Sequence, residues 1–473
     1  MAHHGLLPPL SPLSQYINTP TLTFYVMGVC ELETAFDKSQ TIKFLEHAFV
    51  PINIRFSSII VTDDKGVQRW KKVVCSVEDH VVVPTFPPGL STEEYDSCLE
   101  EHISNVSMEV LPANRPPWEV HLITYPTSKA AGTLVFKLNH AIGDGYSFMG
   151  ALFSIFKRAD NPALPLRFPT ASSRFNELSS YSKMSSYLTR CINTFSDFTR
   201  GILGTYFEDG KTVLRSKRPK VELLPVSISS VTFTIDHIRE IRSAAGAPFG
   251  FVSMNEQTVN DVTTGVIAYA LQLYMKRMGQ LSGDTHTTAL IVMNLRMYRG
   301  FSSLEEMLKA NIWGNHFGFV SVTLPPYNHK DIDIADPLEF VVKSKNEMKR
   351  RMNSVSNYFT SKLLRVVGTL RGAEAAAEYL HSNLRNTSIM ITNMIGPVEQ
   401  AAIAGHPLKN FYFTVPGVPQ SLVFTIVSYM GKLRLVATVE KDFIDSKLLV
   451  SCLKESFQKI YNAAGGKDLL KFD

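Results

Sequence analysis

No run in this chain is both long and apolar enough to span a bilayer. The best, Val262 to Met275, contains Thr263, Thr264 and Gln272 and falls short of the roughly 18 uncharged apolar residues a spanning helix needs. Cysteine is sparse: Cys30, Cys75, Cys98, Cys191 and Cys452 are odd in number, widely spaced and without a C-x-x-C pair. That pattern argues against a disulfide framework or a zinc site and fits a reducing compartment. Charge is also scarce, with 19% charged residues, 48 basic against 43 acidic and a net +5, so no nucleic-acid partner is expected. The start, Met1-Ala2-His3-His4 followed by a proline-rich stretch, lacks the charged and apolar regions of a signal peptide, and secretion is not expected. The His3-His4 pair resembles no metal site, and no metal is expected. No internal repeat or low-complexity tract is apparent.

What is present is a large apolar chain. Its 473 residues are 45% hydrophobic, which favours two folded units of about 150 to 250 residues. The first region mixes strand signals (Leu22 to Val29, Val81 to Val83, Gly132 to Leu138) with helical ones (Ser39 to Phe49, Thr92 to Val106, Phe148 to Lys157). We place an N-terminal unit at 1–160, a basic helical connector at 161–225 and a C-terminal unit at 226–473. In the connector, Tyr181, Met184, Leu188, Cys191, Phe195, Phe198, Ile202 and Tyr206 form an apolar stripe at helical spacing. Between Arg167 and Glu222 stand ten basic and five acidic residues, an excess equal to the chain's net charge of +5. The stripe reads as a packed inter-domain helix, leaving the basic Lys211 to Lys220 tail available to an anionic membrane. The second region suggests strands at Ala289 to Leu295, Phe317 to Leu324, Ser388 to Thr392 and Phe411 to Val415, helices at Thr258 to Lys276 and Pro337 to Met352, and a hairpin around Gly431-Lys432. The whole reads as mixed α/β.

The chemistry concentrates in Asn139-His140-Ala141-Ile142-Gly143-Asp144-Gly145, which follows the apolar strand ending at Leu138. A strand delivering a histidine into a glycine-flanked turn holds a reactive side chain rigidly while leaving it accessible. An imidazole titrating near neutrality can take a proton from an attacking hydroxyl and return it to a leaving group. Asp144 reads either as an orienting carboxylate or as the N-cap of the next helix. Arg296, just past a strand, is a candidate ion-pair partner for Asp144. Asn260-Asp261 also reads as a helix-start pair.

The string resembles the H-x-x-x-D-G motif of the CoA-dependent acyltransferase superfamily. Companion segments resemble its plant wax ester synthase/diacylglycerol acyltransferase branch: Pro9-Leu10-Ser11-Pro12, Pro117-Trp118-Glu119-Val120-His121, Asn260-Asp261-Val262, Trp313-Gly314-Asn315, Asn393-Met394-Ile395-Gly396-Pro397 and Ser428-Tyr429 with Gly431. They occur in family order. The resemblance implies two chloramphenicol-acetyltransferase-like subdomains with mixed sheets, joined by a long helical crossover, with an active-site channel between them. It implies transfer of a fatty acyl group from acyl-CoA to a long-chain alcohol, with diacylglycerol as a second acceptor, by direct attack without an acyl-enzyme. Acyl-CoA is then a co-substrate, and no cofactor is expected.

By the same resemblance His140 is the general base, Asp144 orients or supports it, and Gly145 completes the motif turn. Asn139, Asn260, Asp261, Asn315 and Asn393 are candidates for the substrate channel. The expected site of action is the cytosolic face of the endoplasmic reticulum, or the plasma membrane, through peripheral contact. One residue departs from the branch: its usual H-H-x-x-x-D-G has Asn139 in place of the first histidine. Two alternatives follow, an acyltransferase for another specialised alcohol and a catalytically weakened lipid-binding homologue. Against the first, the D-F-G-W-G motif of the related plant acyltransferases is missing.

Overall fold

The computed structural model describes residues 6–168, 208–216, 218, 220–246, 256–280, 287–296, 310, 312–324, 336–352 and 356–472. The His3-His4 pair and the Tyr181 to Tyr206 stripe lie outside the described residues. Two large mixed sheets organise the chain. One has seven strands in the order Val81–Val82, Trp118–Ile123, Gly132–Asn139, Tyr25–Leu32, His406–Thr414, Ala401–Ile403, Lys157–Arg158. The other has six, in the order Phe317–Thr323, Thr288–Asn294, Ile389–Ile395, Leu422–Tyr429, Lys432–Glu440, Val226–Thr234. A small three-stranded sheet, Leu6–Pro9, Gln68–Lys72 and Ser58–Thr62, sits beside the first.

The two sheets are knitted together by chain crossing. Ala401–Ile403 and His406–Thr414 belong by sequence to the region after residue 226, yet they pair within the N-terminal sheet, with Phe411 opposite Cys30 and Thr414 opposite Met27. The chain then returns to the other sheet at Leu422. Where the sheets meet, Thr414 Oγ1 and Thr438 Oγ1 share a hydrogen bond of 2.5 Å, and Thr425 donates to the carbonyl of Phe413. A boundary at 226 therefore does not separate two self-contained sheets.

Local sequence accounts for the elements around the motif. Gly132–Asn139 is buried along its whole length, as expected for an inner strand covered on both faces. It pairs with Tyr25–Leu32 on one side and Trp118–Ile123 on the other. The Leu422–Tyr429 and Lys432–Glu440 hairpin turns at Met430 and Gly431, both with positive φ (50° and 72°), the geometry of a two-residue turn between twisted strands. At the end of Ile389–Ile395, a Cβ on Gly396 would lie 2.2 Å from the carbonyl oxygen of Ser428. The glycine there lets two backbones approach.

The strand also carries a lysine that its apolar neighbours conceal. Lys137 is fully buried, and its ammonium donates to the carbonyls of Val106 (2.6 Å) and Glu109 (2.7 Å) at the C-terminal end of helix Thr92–Met108. A cation is favourable against the carbonyls at the C-terminal end of a helix. Glu119 lies 3.8 Å away and Tyr25 presents its ring 4.9 Å from the ammonium. Glu119 and His121 of the P-W-E-x-H segment are thus structural: Glu119 accepts from His121 Nε2 at 3.2 Å, and His121 Nδ1 meets His102 Nε2 at 3.0 Å. Trp118 donates its indole N–H to Phe56 O (2.8 Å) and stacks on His80, centroids 4.2 Å apart.

Removing one partner of a buried charge network leaves the rest uncompensated. Lys137→Ala should lower the free energy of urea unfolding by about 3 kcal/mol. A loss below about 1 kcal/mol would show that the helix end and Glu119 do not depend on the ammonium.

Candidate active site

His140 is the first residue beyond the buried strand. Its amide donates to Phe24 O (2.9 Å) and that of Asn139 to Pro117 O (3.0 Å), so the strand's hydrogen bonding continues into the turn. Asn139 Oδ1 accepts from the amide of Ala141 at 2.8 Å, and its Nδ2 donates to Asn18 Oδ1 at 3.2 Å. This Asx-type closure fixes how sharply the chain leaves the sheet. Ile142 N closes back on Asn139 O (3.0 Å), and Arg55 Nη1 grips the carbonyl of Ile142 at 2.5 Å. The Arg55 guanidinium lies near the rings of Trp70 (5.6 Å) and Trp313 (5.9 Å). Burial pushes its pKa down to about 10, against the pull of Asp144.

The turn ends at Asp144, the N-cap of helix Gly145–Ile155. Its Oδ1 accepts from Ser147 N (3.1 Å) and Ser147 Oγ (3.0 Å), and its Oδ2 from His316 N (2.8 Å) and Arg296 Nη1 (2.6 Å). Burial alone would raise this carboxyl's pKa, but the charge and hydrogen bond of Arg296, with the two backbone amides, hold it below the ordinary carboxylate range. Arg296 is 2% exposed, and its other donors reach Ile312 O (2.8 Å) and Gly314 O (2.9 Å). Gly143 passes so close to the helix that a Cβ would lie 2.6 Å from Ser147 Cβ.

The Trp313-Gly314-Asn315 segment meets this turn from the opposite half of the chain. Asn315 Nδ2 donates to His140 O (2.7 Å) and Ser14 Oγ (2.8 Å), and its Oδ1 lies 2.8 Å from His140 Nδ1. A peptide carbonyl can only accept, so the amide's orientation is fixed and Oδ1 must face the ring. His140 therefore carries its proton on Nδ1, and Nε2 is the nitrogen with a free lone pair. Burial pushes the imidazole pKa below its ordinary value, while Asp144 and Asn315 oppose that shift. That direction favours the neutral ring at physiological pH.

His140 lines a cavity between the two sheets, with Phe24, Val26, Phe413 and Val415 on one wall and Val292, Phe317, Phe319 and Met390 on the other. Asp144, Gly145 and Asn393 also reach it. Gly145 is the first residue of the helix rather than part of the turn, and a Cβ there would meet Met394 Sδ at 2.9 Å.

Among the channel candidates, Asn393 is a lining residue. Asn260 stands behind it, accepting from Asn393 Nδ2 at 3.1 Å. Asn315 supports His140 instead, and Asn139 is spent on the turn. Asn260 and Asp261 lie within helix Glu256–Arg277 rather than at its start, so the helix-cap expectation is corrected. Burial pushes the Asp261 carboxyl up to about 7, opposed by Lys345 and Arg242, groups outside the cavity lining. The sequence reading assigned no role to Arg55, Ser14 or Ser147. Ser147 stands three residues after the N-cap Asp144, where a capping carboxylate accepts the backbone N–H; Arg55 carried no local signal.

Comparison with known proteins fits this architecture. The structure superimposes on a wax ester synthase/diacylglycerol acyltransferase from Marinobacter aquaeolei VT8 with a TM-score of 0.61 at 16% identity, covering 97% of this chain and all of that one. It also matches a trichothecene 15-O-acetyltransferase from Fusarium sporotrichioides (TM-score 0.57, 15% identity, 97% and 100% covered). Fold and sequence together define an acyl-CoA-dependent O-acyltransferase. Two family models match, the wax ester synthase/diacylglycerol acyltransferase catalytic domain over 70–251 and the WS/DGAT C-terminal domain over 313–461. Among relatives, wax ester synthase/diacylglycerol acyltransferase 4 of Arabidopsis thaliana is 28% identical across 98% of this chain and 91% of its own length. The chain belongs to the wax ester synthase/diacylglycerol acyltransferase family.

Breaking the buried Asp144–Arg296 pair by Arg296→Met should cost about 3–5 kcal/mol of unfolding free energy, because it strands a buried carboxylate. The double variant with Asp144→Asn should recover part of that loss. Equal stability of wild type and Arg296→Met would show that the pair does not hold the turn.

Proposed function

We propose that His140 is the general base for direct transfer of a fatty acyl group from acyl-CoA to a long-chain alcohol, with diacylglycerol as a second acceptor. The observation that carries this reading is the fixed tautomer: Asn315 occupies Nδ1, leaving Nε2 to accept a proton. The acceptor hydroxyl gives its proton to Nε2 as its oxygen attacks the thioester carbon. The tetrahedral oxyanion then collapses, the C–S bond breaks, and the departing sulfur takes the proton from the imidazolium. No group on the protein is acylated. The apolar walls of the cavity suit the hydrocarbon parts of both substrates.

Asp144 and Arg296 are positioning residues in this scheme. Both are consumed by the salt bridge and by backbone partners, and they hold the turn against Trp313-Gly314-Asn315. Asn139 does the same for the strand exit. The family's second motif histidine is the one retained, and the asparagine before it stands outside the cavity lining, so the substitution gives no ground for the lipid-binding alternative. No helix among the described residues is long and apolar enough to cross a membrane. Because both acceptors reside in bilayers, the reading carries a peripheral location at the cytosolic face of a membrane, the endoplasmic reticulum first. No nucleic-acid partner and no cofactor form part of it.

The test incubates purified protein with palmitoyl-CoA and either a long-chain alcohol or diacylglycerol, beside His140→Ala. Wild type should form the ester, and the variant should lose about 10²- to 10⁴-fold in rate. Undiminished product from the variant would remove His140 as the base, and no product with either acceptor would overturn the activity. Asn139→His should leave kcat/KM close to wild type; a large gain would show that the asparagine limits catalysis.

A further inference from the structure

The sequence placed a membrane-facing basic tail at Lys211 to Lys220, but the structure engages part of it internally. Arg215 is buried, donating to Asp209 O (2.6 Å) and Arg385 O (2.9 Å), and Arg218 lies 3.4 Å from Glu440. A different surface has the properties that tail was expected to supply. Ser356–Arg385 consists of two helical stretches that meet at Gly372, where φ is 87°. The first stretch, up to Arg371, contains Lys362, Arg365 and Arg371 and no acidic residue.

Its inner face is fixed. Leu364 and Val367 pack on the N-terminal core, and at Gly368 the helix comes so near helix Pro12–Tyr16 that a Cβ would fall 2.2 Å from the Tyr16 hydroxyl oxygen. Its outer face is apolar and uncovered: Val366 is 50% exposed and Leu370 78%. With the half-buried Leu363 they recur at spacings of three and four, one stripe along the helix. Lys362 and Arg365 border that stripe, and Arg371 stands exposed at its end. Arg365 and Arg371 have no ion pair among the described residues.

This face is joined to the catalytic centre by a short rigid path. Tyr16, against which the helix packs, ends the same short helix whose Ser14 accepts a hydrogen bond from Asn315, and Asn315 holds His140.

We propose that the outer face of residues 362–371 docks on an anionic lipid bilayer, with Val366 and Leu370 entering the acyl boundary and Lys362, Arg365 and Arg371 on the headgroups. An apolar stripe edged by one sign of charge is the pattern of a helix lying in a membrane interface, and its charge complements the anionic cytoplasmic leaflet. Docking there sets the helix that supports Asn315 against the source of a bilayer-resident acceptor. The inference rests on the reading of the acceptor as a membrane lipid, but its test does not depend on catalysis.

The test is co-sedimentation of the full chain with vesicles of phosphatidylcholine alone or with phosphatidylserine. Wild type should bind the mixed vesicles and bind neutral ones much more weakly. The triple variant Lys362→Ser, Arg365→Ser, Arg371→Ser should weaken binding to mixed vesicles by about 100-fold, and Val366→Asp with Leu370→Asp should abolish it. Each variant should keep wild-type turnover of palmitoyl-CoA with a short water-soluble alcohol, which reports both folding and the intact centre. Unchanged vesicle binding by the variants, or equal binding of wild type to both vesicle types, would overturn the proposal. A wild-type dimer that the Asp variant splits into monomers, with no vesicle binding, would assign the face to a second copy of this chain and overturn it too. Failure of the acyl-transfer reading shows separately, as no ester from wild type.

Discussion

The ion pair between Asp144 and Arg296 is the constraint on which the site depends. Two opposite charges withdrawn from water are tolerable only when every remaining donor and acceptor is satisfied, and here they are. Asp144 takes Ser147 and His316 besides the guanidinium, and Arg296 takes the carbonyls of Ile312 and Gly314. The partners come from both halves of the chain. The pair therefore fixes the distance between the turn bearing His140 and the segment bearing Asn315.

The chemistry follows from that distance. His140 alone, in an apolar cavity, would be neutral but free to carry its proton on either nitrogen. Asn315, itself oriented by the carbonyl of His140 and by Ser14, removes that choice. The three residues of the Trp-Gly-Asn segment divide the work. Trp313 flanks Arg55, which holds the Ile142 carbonyl; Gly314 offers its carbonyl to Arg296; Asn315 sets the tautomer. The His140 site thus belongs to neither half by itself: His140 falls within the region matched by the catalytic-domain model and Asn315 within that matched by the C-terminal one.

Much of this was legible in the residues. The strand into the motif, the glycine-flanked turn, the Asp144 cap and the late hairpin carry local signals, and their observed spans differ from the expected ones by a few residues. Arg296 was nameable as a partner for Asp144 because it directly follows a strand. Long-range geometry was not legible. Nothing local marks Arg55 as the residue that reaches Ile142, or Lys137 as a buried cation inside an apolar strand, since both are satisfied by carbonyls distant in sequence. The return of His406–Thr414 to the first sheet is a topological fact that periodicity does not encode. The helix at Ser356–Arg385 was missed because its exposed apolar face and its kink at Gly372 blur the usual one-sided pattern.

The most direct test of the account is the acid limb of kcat/KM against pH for wild type and Asn315→Asp. The neutral imidazole is the active form, so activity should fall as pH drops through the His140 pKa, which burial holds below the ordinary 6.5. A carboxylate against Nδ1 favours the imidazolium, so the variant's acid limb should move to higher pH. A limb that stays in place while the variant still turns over would contradict the claim that His140, held through Nδ1 by residue 315, is the base.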